Sequence, residues 1–495
     1  MSEVLHTEVA ILGAGFSGLG MGVRLKQDGV RFLILDGGDR VGGTWRDNTY
    51  PGVACDVPSH LYSFSFAPNP DWQHVYSAGH EIQRYLERCV EQFGLQPHLR
   101  LGRWVQAARF DEGQAEWVLS LADGATVRAR ILVAGAGALR DPFVPPLPGL
   151  DRFQGTMAHS ARWPDELDVT GQRVGVVGTG ASAIQIAPAL APRAAHLTVF
   201  QRTPPWIRER RDRAYTEAER ATFRHVPGAL LASRLATWMR NEAYYPLVFG
   251  RLHPIARLLE PLLKRELQQR VGDAALADRV TPSYRMGCKR ILLSDDWYAT
   301  LARDDVSLVD EAVREVTETG VRLAGGREVP LDVIVWCTGF RVSQPLGELQ
   351  VTGLDGADLA DAWGDRPRAY LGITVPRFPN FFLLLGPNTA LGHSSVVIMI
   401  EAQIRYVRKA LRWLRAQPGT PWLDLRPEPL ERFMEDVDQR HDQRVWMTGC
   451  DSWYLGPDGS NFTLWPGSTA RYIARTWSFD PADYQLGVQQ PSAVR

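Results

Sequence analysis

Two stretches of the chain repeat one order of apolar and polar positions: a short apolar run, a glycine-rich turn, a segment of helical period and a second apolar run. In the first, Glu8 to Leu12 leads into GAGFSG, then LGMGVRLKQDGV at helical spacing, then RFLILD. In the second, QRVGVV leads into GTGASA, then IQIAPALAP, then HLTVF. A brief apolar run bounded by glycine reads as a buried strand, so each stretch predicts a strand–helix–strand unit. Two further runs, ILVAGAG from Ile131 to Gly137 and DVIVWCTGF from Asp332 to Phe340, end in small residues. Such endings suit chain that passes close to a ligand or crosses between domains. From about Trp206 to Gly320 the pattern shifts to Arg, Glu, Leu and Ala at helical spacing. That predicts a mainly helical insertion with apolar faces toward a core and charged faces in solvent.

The expected fold class is α/β, with two Rossmann-like dinucleotide-binding domains and the helical insertion. Residues 1–147 and 381–495 are expected to form the first domain, 148–205 and 321–380 the second, and 206–320 the insertion.

The glycines of the first turn have separate tasks. Gly13 permits the tight turn, Gly15 lets a pyrophosphate approach the backbone at the helix amino terminus, and Gly18 lets helix and strand pack closely. Asp36 follows at the end of the second strand, where a carboxylate accepts from ribose hydroxyls. Gly42 and Gly43 before Thr44 and Trp45 imply backbone wrapped around a bulky group, and FAD is the natural ligand. Asp47, Tyr62 and Val105 are further candidate contacts of that nucleotide.

The second turn carries Gly178, Gly180 and Ala183 as GxGxxA, with Thr179, Ala181, Ser182 and Gln185 around it. Its second strand ends in Gln201-Arg202-Thr203 and not in an acid. An acid would repel a 2′-phosphate and Arg202 would accept one, so NADPH is expected here in preference to NADH.

Length and charge narrow the class. A chain of 495 residues suggests two or three domains. The 55 Lys plus Arg against 56 Asp plus Glu, with no long basic run, argue against a nucleic-acid partner. The five cysteines are scattered without a CxxC pair or a Cys/His cluster, which fits a reducing compartment without structural zinc or any other metal. The amino terminus enters a strand-like run within seven residues, and no apolar run reaches membrane-spanning length. A cytoplasmic location is expected. Oligomeric state stays open.

Between the two units lies FQGTMAHSARWP, which carries Phe153, Gly155, His159, Trp163 and Pro164 as FxGxxxHxxxWP. With GAGFSG, GGTW, GTGASA and CTGF in order, the chain resembles flavin-dependent Baeyer-Villiger monooxygenases over most of its length. It looks closer to the shorter, ethionamide-activating-type members. The resemblance implies that NADPH reduces FAD, that O2 adds to the flavin C4a carbon, and that the resulting peroxide attacks a ketone to give an ester or lactone. It also implies an arginine beside the peroxide, which RMGCKRILLSDDWY places at Arg290 after Lys289, and a partner carboxylate in YPGVACD, Asp56. A permanent cation keeps such a peroxide deprotonated. In GCDSWYLGP the resemblance makes Trp453 a contact of the nicotinamide nucleotide, and Asn388 lies in a GPN turn before a helix expected near Ser394. His159 is expected to couple domains more than to move protons. Oxygenation of a sulfide or amine remains an alternative on the same scaffold, as does a flavin reductase or redox-sensing interaction protein that inserts no oxygen.

Overall fold

In the computed structural model, which describes residues 3–250 and 252–488, the two glycine turns follow strands of two separate sheets, the first mixed and the second parallel. The first sheet runs Leu99–Arg100, Phe32–Leu35, Val4–Leu12, Thr126–Ala134, Glu116–Leu121, Val105–Asp111 and Gln350–Thr352. Phe381–Leu383 pairs in parallel with the end of Thr126–Ala134, with Phe381 opposite Leu132. The side-chain alternation of a strand divides Val4–Leu12 between two cores: Val9 and Ile11 face the helices Phe16–Gln27 and Val396–Arg415, whereas Ala10 and Leu12 face the antiparallel layer around Trp117. Helix Val396–Arg415 starts where Ser395 accepts a hydrogen bond from the Val397 amide at 3.3 Å.

The second sheet is wholly parallel, in the order Val306–Val309, His196–Phe200, Arg173–Val177, Val333–Trp336 and Thr156–His159. Gly155 belongs to this packing, because a Cβ there would lie 2.2 Å from the Asp332 carbonyl oxygen. The chain leaves the first sheet after Ala134 and returns after Trp336. The two crossings meet where the Phe143 amide donates to the Gly339 carbonyl at 2.9 Å. Small residues at Gly135, Gly137 and Gly339 thus mark both crossings.

The insertion differs from expectation in two ways. Its helices, Glu217–His225, Ala229–Val248, His253–Ala256, Glu260–Val271 and Ala274–Val280, end well before residue 320. Val306–Val309 instead edges the second sheet, and Trp297 and Leu301 pack in that sheet's core, so the boundary expected at 320 lies too late. A four-residue strand flanked by aspartates offers too short a period to stand out. The second difference is orientation. Along Ala229–Val248 the polar anchors face inward, and Leu231, Leu235, Met239 and Leu247 face solvent.

Candidate active site

The first turn is built by backbone contact. Gly13 adopts φ +94°, and a Cβ on it would meet the Gly135 carbonyl oxygen at 2.6 Å. At Gly18 a Cβ would lie 1.8 Å from the Gly13 carbonyl oxygen, so the helix has no room for a larger residue. Gly15, just before helix Phe16–Gln27, is different: its nearest neighbour would be the Gly43 Cα at 3.6 Å, an ordinary contact. Its bare backbone therefore serves the cavity in front of it.

Asp36 lies directly after Phe32–Leu35 and fixes that turn. It accepts from the Ala14 amide at 2.7 Å, the Gly38 amide at 2.8 Å and Arg46 Nη1 at 2.6 Å. Asp47 holds the other side of the same guanidinium at 2.7 Å. A cavity of about 320 Å³ opens here, lined by Gly13, Gly15, Asp36, Gly43, Thr44, Trp45, Asp47, Tyr62, Val105, Arg290 and Trp453. Trp45 Nε1 donates to the Tyr62 hydroxyl at 3.2 Å, which locks two aromatic walls together. A glycine cradle at a helix amino terminus, a fixed carboxylate and aromatic walls suit a dinucleotide with a flat ring system.

Arg290 reaches the same cavity from the far side of the chain. Pairing of Ile207–Arg208 with Leu292–Leu293 fixes the backbone beside it. Its Nη2 lies 2.6 Å from Asp56 Oδ2. The negative charge of Asp56 raises the Arg290 pKa still further, so the guanidinium is permanently charged. Asp56 is held in turn by the YPGVACD loop, in which Gly52 at φ +83° packs on the Gln185 carbonyl. Gln185 makes three hydrogen bonds to that loop: its Oε1 accepts from the Tyr50 hydroxyl at 3.2 Å and the Ala54 amide at 3.1 Å, and its Nε2 donates to the Ala54 carbonyl at 3.2 Å. One glutamine of the second unit thus positions the carboxylate that positions Arg290.

The second turn follows the first in form. Gly178 adopts φ +113°, with the Cys337 carbonyl 2.6 Å from where its Cβ would be, while Gly180 has nothing within 4 Å. Thr179 Oγ1 donates to the Thr203 carbonyl at 3.0 Å. Ala181 is exposed and Ser182 immediately precedes helix Ala183–Leu190. Arg202 is 81 % exposed, and among the described residues its ion-pair partner is Asp451 at 3.4 Å. Lys289 shares that neighbourhood, where burial lowers its pKa, Asp451 counteracts and Arg202 adds repulsion. Two cations against one carboxylate leave an anion-accepting corner. These second-turn residues lie outside the 320 Å³ cavity, and Arg290 and Trp453 face into it from their side.

Asn388, Cys288 and Cys450 are placed otherwise than expected, and His159 lies away from the cavity among backbone partners. Asn388 is buried at φ +57°, and its Nδ2 donates to the Asn461 carbonyl at 2.8 Å and the Leu464 carbonyl at 3.3 Å. Its neighbours Pro387 and Thr389 line the cavity in its place. His159 is buried, and its Nδ1 accepts from the Ala161 amide at 3.0 Å. Burial lowers its pKa, and it lies away from the cavity. Cys288 and Cys450, read from sequence as part of a reduced, scattered set, are joined by a disulfide across 162 residues. That bond ties the loop before Arg290 to the loop that carries Asp451 and Trp453. Spacing of 162 residues gives no signal for such a pair.

Sequence reasoning missed Trp104, Arg140, Val342, Leu385 and Thr463, which complete the cavity wall. It also missed Tyr454, a fully buried neighbour of Arg290 whose phenol is pushed up to about 12 by burial. These residues come from loops without a periodic pattern. Among the described residues no group of three or more His, Cys, Asp or Glu is placed to hold a metal ion, and no helix is long and apolar enough to cross a membrane.

Residues 11–78 match the model of the NAD(P)-binding Rossmann-like domain. A Baeyer-Villiger monooxygenase of Streptomyces coelicolor is 44 % identical over 492 residues, covering 99 % of this chain and 94 % of that protein. The chain belongs to the Baeyer-Villiger monooxygenase family. A second such monooxygenase, from Pseudomonas aeruginosa, is 44 % identical over 97 % of this chain and 92 % of its own length. Among solved structures, an oxidized steroid monooxygenase bound to NADP superimposes with TM-score 0.85 at 29 % identity, covering 98 % of this chain and all of that one. Cyclohexanone monooxygenase from Rhodococcus sp. Phi1 bound to NADP+ gives TM-score 0.87 at 28 % identity, covering 99 % of this Baeyer-Villiger family chain and all of its own. Membership accounts for two glycine turns of one design in a single chain.

Proposed function

We propose that this chain is an FAD- and NADPH-dependent monooxygenase that inserts one oxygen atom of O2 beside a ketone carbonyl to give an ester or lactone. The observation that carries this reading is the Arg290–Asp56 pair, which opens onto the cavity shared by the first glycine turn and Trp453. FAD would be held by Gly13, Gly15, Asp36, Gly43, Thr44, Trp45 and the walls of Asp47, Tyr62 and Val105. NADPH would be held by Gly178 to Ser182, with Arg202, Thr203 and Lys289 available to its 2′-phosphate. Bound FAD, once reduced by NADPH, supplies the activation of O2.

The chain's own residues supply the rest. Arg290 places a fixed positive charge where negative charge develops on oxygen, and in a partly closed cavity that charge acts through a lower effective dielectric than water. Asp56 holds the guanidinium plane with one charge-assisted bond and leaves its other donors to the reacting oxygens. Buried Tyr454 stays protonated beside them. Trp453, about half exposed, is free to cover the nicotinamide ring. A cytoplasmic location fits the supply of NADPH, although the Cys288–Cys450 bond removes the support expected from the cysteine pattern. The substrate is a small-molecule ketone, with a sulfide as the competing class.

The test supplies the purified protein with NADPH, O2 and a panel of ketones and sulfides and identifies the products. Esters or lactones in proportion to NADPH oxidised support the reading. Sulfoxide alone would assign heteroatom chemistry, and hydrogen peroxide alone would leave a flavin oxidase or reductase.

A further inference from the structure

Helix Ala229–Val248 is amphipathic in the reverse sense. Its inner face is polar: Arg234 donates to the His60 and Ser63 carbonyls, both at 2.9 Å, Trp238 Nε1 donates to Thr469 Oγ1 at 2.8 Å, and Glu242 accepts from the Thr469 amide at 3.0 Å. Its outer face carries Leu231, Leu235, Met239 and Leu247, spaced at multiples of four residues and all exposed, with exposed Ala232, Ala236 and Ala243 filling the stripe. The following segment continues it with Leu252, Ile255, Leu258, Leu259 and Leu262, of which Leu258 is 75 % exposed. Polar bonds anchor this face outward, so it does not turn inward to escape water. Exposed apolar side chains gathered on one helix face mark an interaction site.

Charge decides what covers it. Residues 229–271 hold seven Lys or Arg against three Glu, a net +4 in a chain of formal net charge −1. Among the described residues, Arg240, Arg257, Lys264 and Arg265 have no carboxylate at ion-pair distance, whereas most arginines elsewhere in the chain do. A second copy of the same face would set like charges against like. An anionic lipid surface accepts leucines into its acyl boundary and the arginines at its headgroups. No described helix is long and apolar enough to span, so the helices would lie in the interface.

We propose that the outer face of residues 229–265 docks the protein on the surface of an anionic lipid bilayer. Val248 and Phe249, at the end of the first helix, share one apolar cluster with Met286 and Cys288, just before Lys289 and Arg290. Docking therefore holds the segment that carries Arg290 against the bilayer side of the molecule.

The experiment uses the full-chain flavoprotein in flotation with vesicles of phosphatidylcholine alone or mixed with phosphatidylglycerol, at low and high salt, alongside light scattering in solution. The protein is expected to float with phosphatidylglycerol vesicles, about tenfold or more better than with phosphatidylcholine alone, and to be released by salt. The triple variant Leu231→Ser, Leu235→Ser, Met239→Ser should lose flotation by about tenfold or more while NADPH oxidation in solution stays unchanged. The pair Arg257→Gln, Arg265→Gln should lose binding to phosphatidylglycerol vesicles without altering the weak binding to phosphatidylcholine. Failure of the wild type to float, or equal flotation of the serine variant, overturns the proposal. So does a wild-type dimer that the serine substitutions convert to a monomer, since a second copy would then be the occupant.

Discussion

Arg290 and Asp56 lie 234 residues apart in the chain and 2.6 Å apart in space, joined by a single bond from Nη2 to Oδ2. Asp56 is fixed by the same loop that Gln185 fastens to the second nucleotide unit. The Arg290 guanidinium is thereby linked to the half of the protein that carries the second glycine turn. Replacing Gln185 by Ala removes three hydrogen bonds and should lower kcat about tenfold while the protein keeps its FAD. Absorbance of bound flavin and steady-state rates, measured on the same sample, separate the two effects.

Gly15 and Gly18 should fail in different ways. Gly15→Ala introduces only an ordinary contact at 3.6 Å, so the chain should fold and purify colourless because the methyl group occupies the pyrophosphate position. Gly18→Ala sets a methyl 1.8 Å from the Gly13 carbonyl and should unfold or aggregate. Circular dichroism and flavin absorbance together distinguish the outcomes.

Arg202 stands 81 % exposed and loosely paired, ready for an anion. Arg202→Ala should reduce the ratio of kcat/KM for NADPH over NADH by about tenfold to a hundredfold, as one charged hydrogen bond to phosphate is worth about 1.5–3 kcal/mol. An unchanged ratio would remove Arg202 from the site.

Cys450→Ser frees the loop with Asp451 and Trp453 from the loop before Arg290. The KM for NADPH should rise several-fold and kcat at saturating NADPH should hold, because only the ordering of the loop is lost. A thiol reductant added to the wild type should reproduce this in NADPH titrations.

Acid stability depends on a half-buried ion-pair cluster outside the cavity lining. Asp28, after the first nucleotide helix, accepts from Arg408 at 2.6 Å and 2.7 Å and from Arg412 at 2.8 Å. The hydrogen bond from Arg408 leads in pulling its pKa down to about 2. A carboxyl whose folded pKa lies below its unfolded value near ~4 stabilises the fold above that value and loses the effect as pH falls toward about 2. Asp28→Asn should cost about 2 kcal/mol at neutral pH and almost nothing below pH ~2 in denaturant titrations.

The sequence was most legible where backbone geometry demands a residue type. Gly13 and Gly178 need positive φ, Gly18 and Gly155 need the absence of a Cβ, and each stands in a recognisable pattern. Those constraints disclosed both nucleotide units and their order. Arg290 and Asp56 were legible only through family resemblance, because no spacing rule joins residues so far apart. Asn388 looked like a ligand contact in its GPN turn, yet its positive φ and its bonds to the 461–464 loop give it a supporting place. The Cys288–Cys450 bond and the strand Val306–Val309 escaped for the same physical reason: both depend on long-range packing that leaves no local period. The helices near 229–262 were visible as helices, but their outward leucines were not, since periodicity reports an apolar face and not what it faces.

In the proposed mechanism Arg290 serves oxygen insertion and not the capture of FAD or NADPH. That role is tested most directly by the moles of ester formed per mole of NADPH oxidised in Arg290→Ala, with Arg290→Lys beside it. Arg290→Ala should remain yellow, oxidise NADPH and release hydrogen peroxide with almost no ester, and Arg290→Lys should rescue little because lysine lacks the planar fork. Ester formed by Arg290→Ala at the wild-type rate and ratio to NADPH would contradict that role.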